Sequence, residues 1–84
     1  MSIKVLYFAS LRETLGYSHE TLTLPASIAT LGHLRSHLAR RGGVWEALDE
    51  GRNVRAAINQ EMAGPDAAVA DRDEIAFFPP VTGG

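Results

Sequence analysis

The chain ends Phe77-Phe78-Pro79-Pro80-Val81-Thr82-Gly83-Gly84, two terminal glycines behind a stiff apolar segment. Glycine has no Cβ, so a Gly-Gly end can pass through a narrow channel and bring the α-carboxylate of Gly84 close to another protein's catalytic groups. A free carboxylate is a poor electrophile, and an acyl adenylate would give it a good leaving group. At average glycine usage a terminal doublet arises by chance in roughly one chain in 200. Its weight therefore rests on the residues before it. Pro79 and Pro80 stiffen the base of the tail and reduce the entropy lost on insertion. Fully extended, Val81, Thr82, Gly83 and Gly84 reach about 13 Å at roughly 3.3 Å per residue.

Few other residues compete for a chemical role. There is no cysteine, which excludes disulfides, thiolate metal sites and a protein thiol nucleophile. No Gly-x-Ser-x-Gly elbow and no P-loop is present, so ATP is expected to bind elsewhere. His33 and His37 stand four apart, a spacing that can bind zinc, but no third ligand accompanies them and no metal is expected. Asp71, Asp73 and Glu74 lack the ligand pattern of a calcium loop and read as a solvated turn.

At 84 residues the chain is one domain with one modest core. Hydrophobic content of 45% and charged content of 21% argue against disorder as the default state. The net charge is −2 and the seven arginines are scattered along the chain, which disfavours nucleic-acid binding. The apolar run from Val5 to Ala9 is too short to span a bilayer, and the amino terminus lacks a signal-peptide pattern. No membrane association is expected, and the expected location is the cytoplasm.

The elements that must position the tail follow from periodicity. Ile3 to Ala9 is a dense β-forming run, a strand covered on both faces or central in a sheet. Ser10 to Gly16 reads as irregular. Glu20 to Leu24 alternates, with Leu22 and Leu24 on one face, and pairs back onto the first strand. Thr30 is a candidate N-cap for a helix in which Leu31, Leu34 and Leu38 recur until Arg40-Arg41 and the Gly42-Gly43 stop. His33, Arg35, Ser36 and His37 are expected on its polar face, and Val44 to Leu48 add a short helical turn. Trp45 is expected as a lid on the core, and Lys4 as a solvent-facing strand residue.

Val54, Ala56 and Ile58 alternate as a half-buried strand, and Asn59-Gln60 turns the chain into a short strand at Glu61 to Ala63. A turn at Asp71-Arg72-Asp73 leads into Glu74 to Phe78. One amphipathic helix must cover one apolar sheet face, so the order β, β, α, β, β, β implies a two-layer α+β domain. If the last strand runs parallel to the first, this is the ubiquitin-like β-grasp: a mixed sheet of about five strands against one main helix. Residues 1–84 then form a single domain with a flexible tail at 81–84.

Lys4-Val5-Leu6-Tyr7-Phe8-Ala9-Ser10-Leu11-Arg12-Glu13, Ala57-Ile58-Asn59-Gln60 and the closing Asp73 to Gly84 together resemble the small subunit of molybdopterin synthase, the MoaD family. The resemblance covers the whole chain, and Phe-Phe-Pro-Pro before a small pair and Gly-Gly is its most specific part. Arg72 departs from the family pattern, in which glycine commonly stands between the two aspartates.

The resemblance implies a sulfur carrier that is not itself a catalyst and holds no bound cofactor. An E1-like partner adenylates Gly84 with ATP, a sulfur donor protein displaces AMP, and the Gly84 thiocarboxylate supplies sulfur to cyclic pyranopterin monophosphate in molybdenum cofactor biosynthesis. The active site belongs to the synthase large subunit, with which a heterotetramer is expected. The resemblance also places Phe8, Met62 and Phe78 in an apolar docking patch, Arg12 at its polar edge, and Pro79 and Pro80 beside it; the competing reading puts the three apolar residues in the core. A thiamine-type sulfur carrier, a ubiquitin-like protein modifier and a binding-only β-grasp module are the alternatives.

Overall fold

A computed structural model describes residues 1–49 and 53–80. Alternation organises β1 (Ser2–Tyr7): Ile3, Val5 and Tyr7 are buried, while Ser2 and Lys4 are exposed and Leu6 is half-buried. The dense apolar run is thus central in the sheet and covered on one face only. It is flanked by antiparallel β2 (His19–Thr23) and parallel β5 (Glu74–Phe78). β3 (Arg55–Ile58) lies antiparallel beside β5, and β4 (Glu61–Ala63) closes the order β2-β1-β5-β3-β4. The parallel β1/β5 pair with a helical crossover establishes the α+β, ubiquitin-like β-grasp.

The covered face carries the core. Ile3, Val5, Tyr7, Ile75, Phe77 and Ala56 meet Leu31, Leu34 and Leu38 from α2 (Leu31–Ala39). The three leucines recur at helical spacing and therefore share one face of α2. Thr30 caps the helix as its side chain implies, Oγ1 accepting from the His33 backbone N–H at 3.2 Å. A 3₁₀ helix follows at Gly43–Leu48. Trp45 is the expected lid, edge-on to Tyr7 at 5.6 Å, and Lys4 is exposed as expected.

Three expectations need correction. Ser10 to Gly16 is not irregular: α1 (Ala9–Leu15) occupies it, burying Leu11 and Leu15 and ending on left-handed Gly16 at φ 78°. β1 accordingly stops at Tyr7 instead of running to Ala9, and Ala9 turns the chain sharply at φ 52°. Arg35 does not join the polar face of α2. It is 9% exposed, and its guanidinium donates to the Leu48 and Asp49 carbonyls at 3.0 Å each, satisfying a buried charge with backbone oxygens and tying the 3₁₀ helix to α2.

Arg72 occupies its turn at φ 70°, a region costly for any residue with a Cβ. The turn nevertheless holds: the Arg72 N–H donates to the Ser2 carbonyl at 2.6 Å, and Asp71 Oδ1 accepts from the Ser2 N–H at 2.7 Å. Asp73 accepts from the Ala70 N–H and from Asn59 Nδ2, so these carboxylates serve the turn. We expect Arg72→Gly to raise stability by up to about 1 kcal/mol, the relief of strain exceeding the extra freedom of the unfolded chain. Urea denaturation checks this; a loss of stability would show that the arginine side chain matters more than its backbone.

A polar network clamps the helical layer to the sheet. The Tyr7 hydroxyl donates to Glu20 Oε2 at 2.8 Å, and Arg41 donates to both Glu20 oxygens at 2.9 and 3.0 Å while its guanidinium lies 4.3 Å from the Trp45 ring centre. Burial opposes the Glu20 charge, but the hydrogen bonds from Arg41 and Tyr7 outweigh it and hold the carboxyl below its ordinary 4.5. Burial, and then the bond to Glu20, push the Tyr7 hydroxyl well above the usual phenol range. Because Glu20 titrates lower folded than unfolded, its stabilisation is complete above the unfolded value and is lost as pH falls through the folded one. Glu20→Gln is expected to lower stability by about 1 kcal/mol at neutral pH, with the gap closing in acid. Equal losses at both pH values would place the effect outside the carboxylate charge.

Candidate functional site

The face of the sheet turned away from α2 carries the predicted partner-binding residues. The register draws a row across it, His19 beside Leu6, Leu6 beside Ala76, Ala76 beside Ala57 and Ala57 beside Met62. One step nearer the carboxyl end, Phe78 pairs with Arg55. The Phe8 N–H donates to the Phe77 carbonyl at 3.1 Å, which carries Phe8 alongside this row. Phe8 is 45% and Met62 61% exposed, and Phe78 is half-buried, so none of the three belongs to the core that Tyr7 and Phe77 fill.

Local structure explains the exposure. Phe8 lies one residue beyond buried Tyr7, so the pleat directs it to the uncovered face before Ala9 turns the chain into α1. Phe77 and Phe78 divide in the same way, one under the helices and one outside. Met62 follows from the Asn59-Gln60 turn, whose residues sit at φ 50° and 72°, the left-handed pair that matches hairpin twist.

The charges around the patch are graded. Lys4 and Glu74 are cross-strand neighbours at its far end. Nearer the tail, exposed Arg12 stands one helical turn past Phe8, and exposed Arg55 lies beside Phe78. Neither arginine forms an ion pair among the described residues. Leu6, Arg55, Ala57 and Ala76 are members of this face that the sequence reading missed. The period-two continuation Leu6-Phe8 was a visible signal for the first, whereas the others depend on which strands pair.

Pro79 and Pro80 are half-buried at the end of β5, where the chain leaves the sheet. The tail residues Val81, Thr82, Gly83 and Gly84 lie outside the described residues. Among the described residues no cluster of three or more His, Cys, Asp or Glu side chains could hold a metal, and no helix is long and apolar enough to cross a membrane.

The chain is 45% identical to the molybdopterin synthase sulfur carrier subunit of Haemophilus influenzae over 98% of its own length and 99% of that protein, and 43% identical to the same subunit of Escherichia coli with the same coverage. Its fold is similar to the crystal structure of SAMP1 from Haloferax volcanii, a small archaeal modifier protein, with a TM-score of 0.80, 30% identity and full coverage of both chains. The ThiS family pattern matches residues 5–84, from the middle of β1 through both sheet faces to the terminal glycine. This chain belongs to the ThiS family.

Proposed function

We propose that the chain is the sulfur carrier subunit of a molybdopterin synthase. The carrying observation is that the family match extends to Gly84 itself, so the likeness includes the terminal residue and not only the scaffold. The names of the bacterial relatives support the choice of pathway. In this reading a Gly84 carboxylate oxygen attacks the α-phosphorus of ATP on an adenylating partner, pyrophosphate leaves, and an acyl adenylate forms. Hydrosulfide released by a donor protein then attacks the carbonyl, AMP departs as the leaving group, the sulfur gives up its proton, and a thiocarboxylate remains.

That thiocarboxylate acts as the nucleophile toward cyclic pyranopterin monophosphate in the large subunit's active site. This chain contributes docking and reach. Phe8, Phe78 and Met62 supply the apolar contact, Arg12 and Arg55 complement acidic groups on the partner, and Pro79 and Pro80 aim the tail. Because the adenylating enzyme and the large subunit would use one face, they bind in turn; a stable ternary complex on mixing both with this chain would contradict that exchange.

Intact-mass measurement after incubation with ATP, an adenylating partner and a sulfur donor tests the proposal. The carrier reading requires a gain equal to the difference between sulfur and oxygen, confined to the carboxyl-terminal peptide. The likeness to a small archaeal modifier protein supports a second reading, linkage of Gly84 to lysines of target proteins. Protein-sized conjugates in place of the small mass gain would favour it, and no change with competent partners would defeat both.

A further inference from the structure

On the solvent side of α2 a cleft of about 300 Å³ is lined by Ser27, Ile28, His33, Ser36, His37 and Arg40. His33, Ser36, His37 and Arg40 recur at helical spacing and form one stripe along α2 and its C-cap. Ser27 and Ile28, from the loop before the helix, make the opposite wall. Every polar side chain lining the cleft can donate a hydrogen bond, and no carboxylate lines it.

The Ala29 backbone N–H donates to His33 Nδ1 at 3.4 Å. An accepting ring nitrogen carries no proton, so the neutral ring is protonated on Nε2, which becomes a donor. Arg40 forms no ion pair among the described residues, although it also borders a second cleft with Glu46 and Asp49. The Ser27 and Ser36 hydroxyls and the His37 ring likewise form no hydrogen bond there.

We propose that this cleft binds a phosphate group, free or carried on a small ester whose organic part packs against Ile28. A phosphate monoester brings nearly two negative charges and three strong acceptor oxygens at neutral pH. The Arg40 guanidinium supplies the charge-assisted bonds, and the His33 ring N–H and the two serine hydroxyls are the further donors that such a group needs. The site is independent of the docking face and of the carrier chemistry, since it uses none of their residues.

Amide NMR titrations of the full chain with inorganic phosphate and with AMP, each set against sodium chloride at matched ionic strength, test it. The expected result is saturable shifts centred on Ser27, His33, Ser36, His37 and Arg40, weakened at least about tenfold by Arg40→Gln. Arg72→Gln removes the same charge from the turn before β5 and is expected to leave binding unchanged. Tighter binding of AMP, with added shifts at Ile28, assigns an ester; equal affinities assign free phosphate. Shifts that never saturate, an equal response to chloride, or equal losses in both arginine variants overturn the site. His33→Gln, expected to weaken binding with the rest of the spectrum unchanged, serves as a second variant if Arg40→Gln disturbs the fold.

Discussion

Phe77→Ala is expected to cost about 3–5 kcal/mol of stability, and Phe78→Ala less than about 1 kcal/mol, although the two residues are adjacent. Phe77 is fully buried and stacks on Tyr7 at 6.2 Å between ring centres, so its removal leaves a cavity beneath α2. Against a total of roughly 5–15 kcal/mol for a domain, that loss takes a large share and lowers the melting temperature steeply. Phe78 pairs with Arg55 on the uncovered face, where a truncated side chain leaves no sealed void.

The functional effects should run the other way. Phe78→Ala is expected to weaken binding of the synthase large subunit by roughly thirtyfold or more, as truncation of a central aromatic anchor does. Denaturation curves and calorimetric titration of the same two variants separate these outcomes. Comparable destabilisation by both substitutions would mean that the second sheet face is also core. Unaltered binding by a folded Phe78→Ala protein would remove that residue from the proposed docking face.

The contrast between these neighbours shows what a sequence can reveal. Period-two alternation in β5 and β1 separates one face from the other, and Thr30, Asn59-Gln60 and the Gly42-Gly43 stop mark boundaries through local backbone chemistry. α1 was hidden because its signals are weak: seven residues, no side-chain cap and only two buried leucines. Arg35 was misplaced for a non-local reason. Its accepting carbonyls belong to Leu48 and Asp49, 13 and 14 residues downstream, and nothing near Arg35 announces them.

The uncovered face was legible only in part. A resemblance pointed to Phe8, Met62 and Phe78, which the structure places outside the core, whereas Gly84 lies outside the described residues. The sequence could not show that Arg55 and Ala57 join them, because that depends on β3 pairing with β5 instead of another strand. Strand pairing is fixed by long-range packing of the completed sheet, so the extent of the face becomes visible only in three dimensions.

Deletion of Gly84 is expected to abolish sulfur acquisition while leaving stability within about 0.5 kcal/mol, because the core residues all lie earlier in the chain. The shortened chain still ends in a carboxylate and keeps the proposed docking face. Its reactive carbon, however, is withdrawn by one residue, about 3.3 Å in an extended tail. A misplacement of about 1 Å can already cost a hundredfold in rate, so the loss should exceed that in both adenylation and sulfur transfer. Gly83→Val tests the channel separately, since it restores length and adds a branched side chain; a rate loss of about a hundredfold with unchanged docking is expected. Intact mass reads the sulfur, and binding to the large subunit reads the face. A Gly84 deletion that still acquires sulfur would move the chemistry away from the terminus. Retention of every function by that variant would leave this chain a binding-only β-grasp module, with its two glycines incidental.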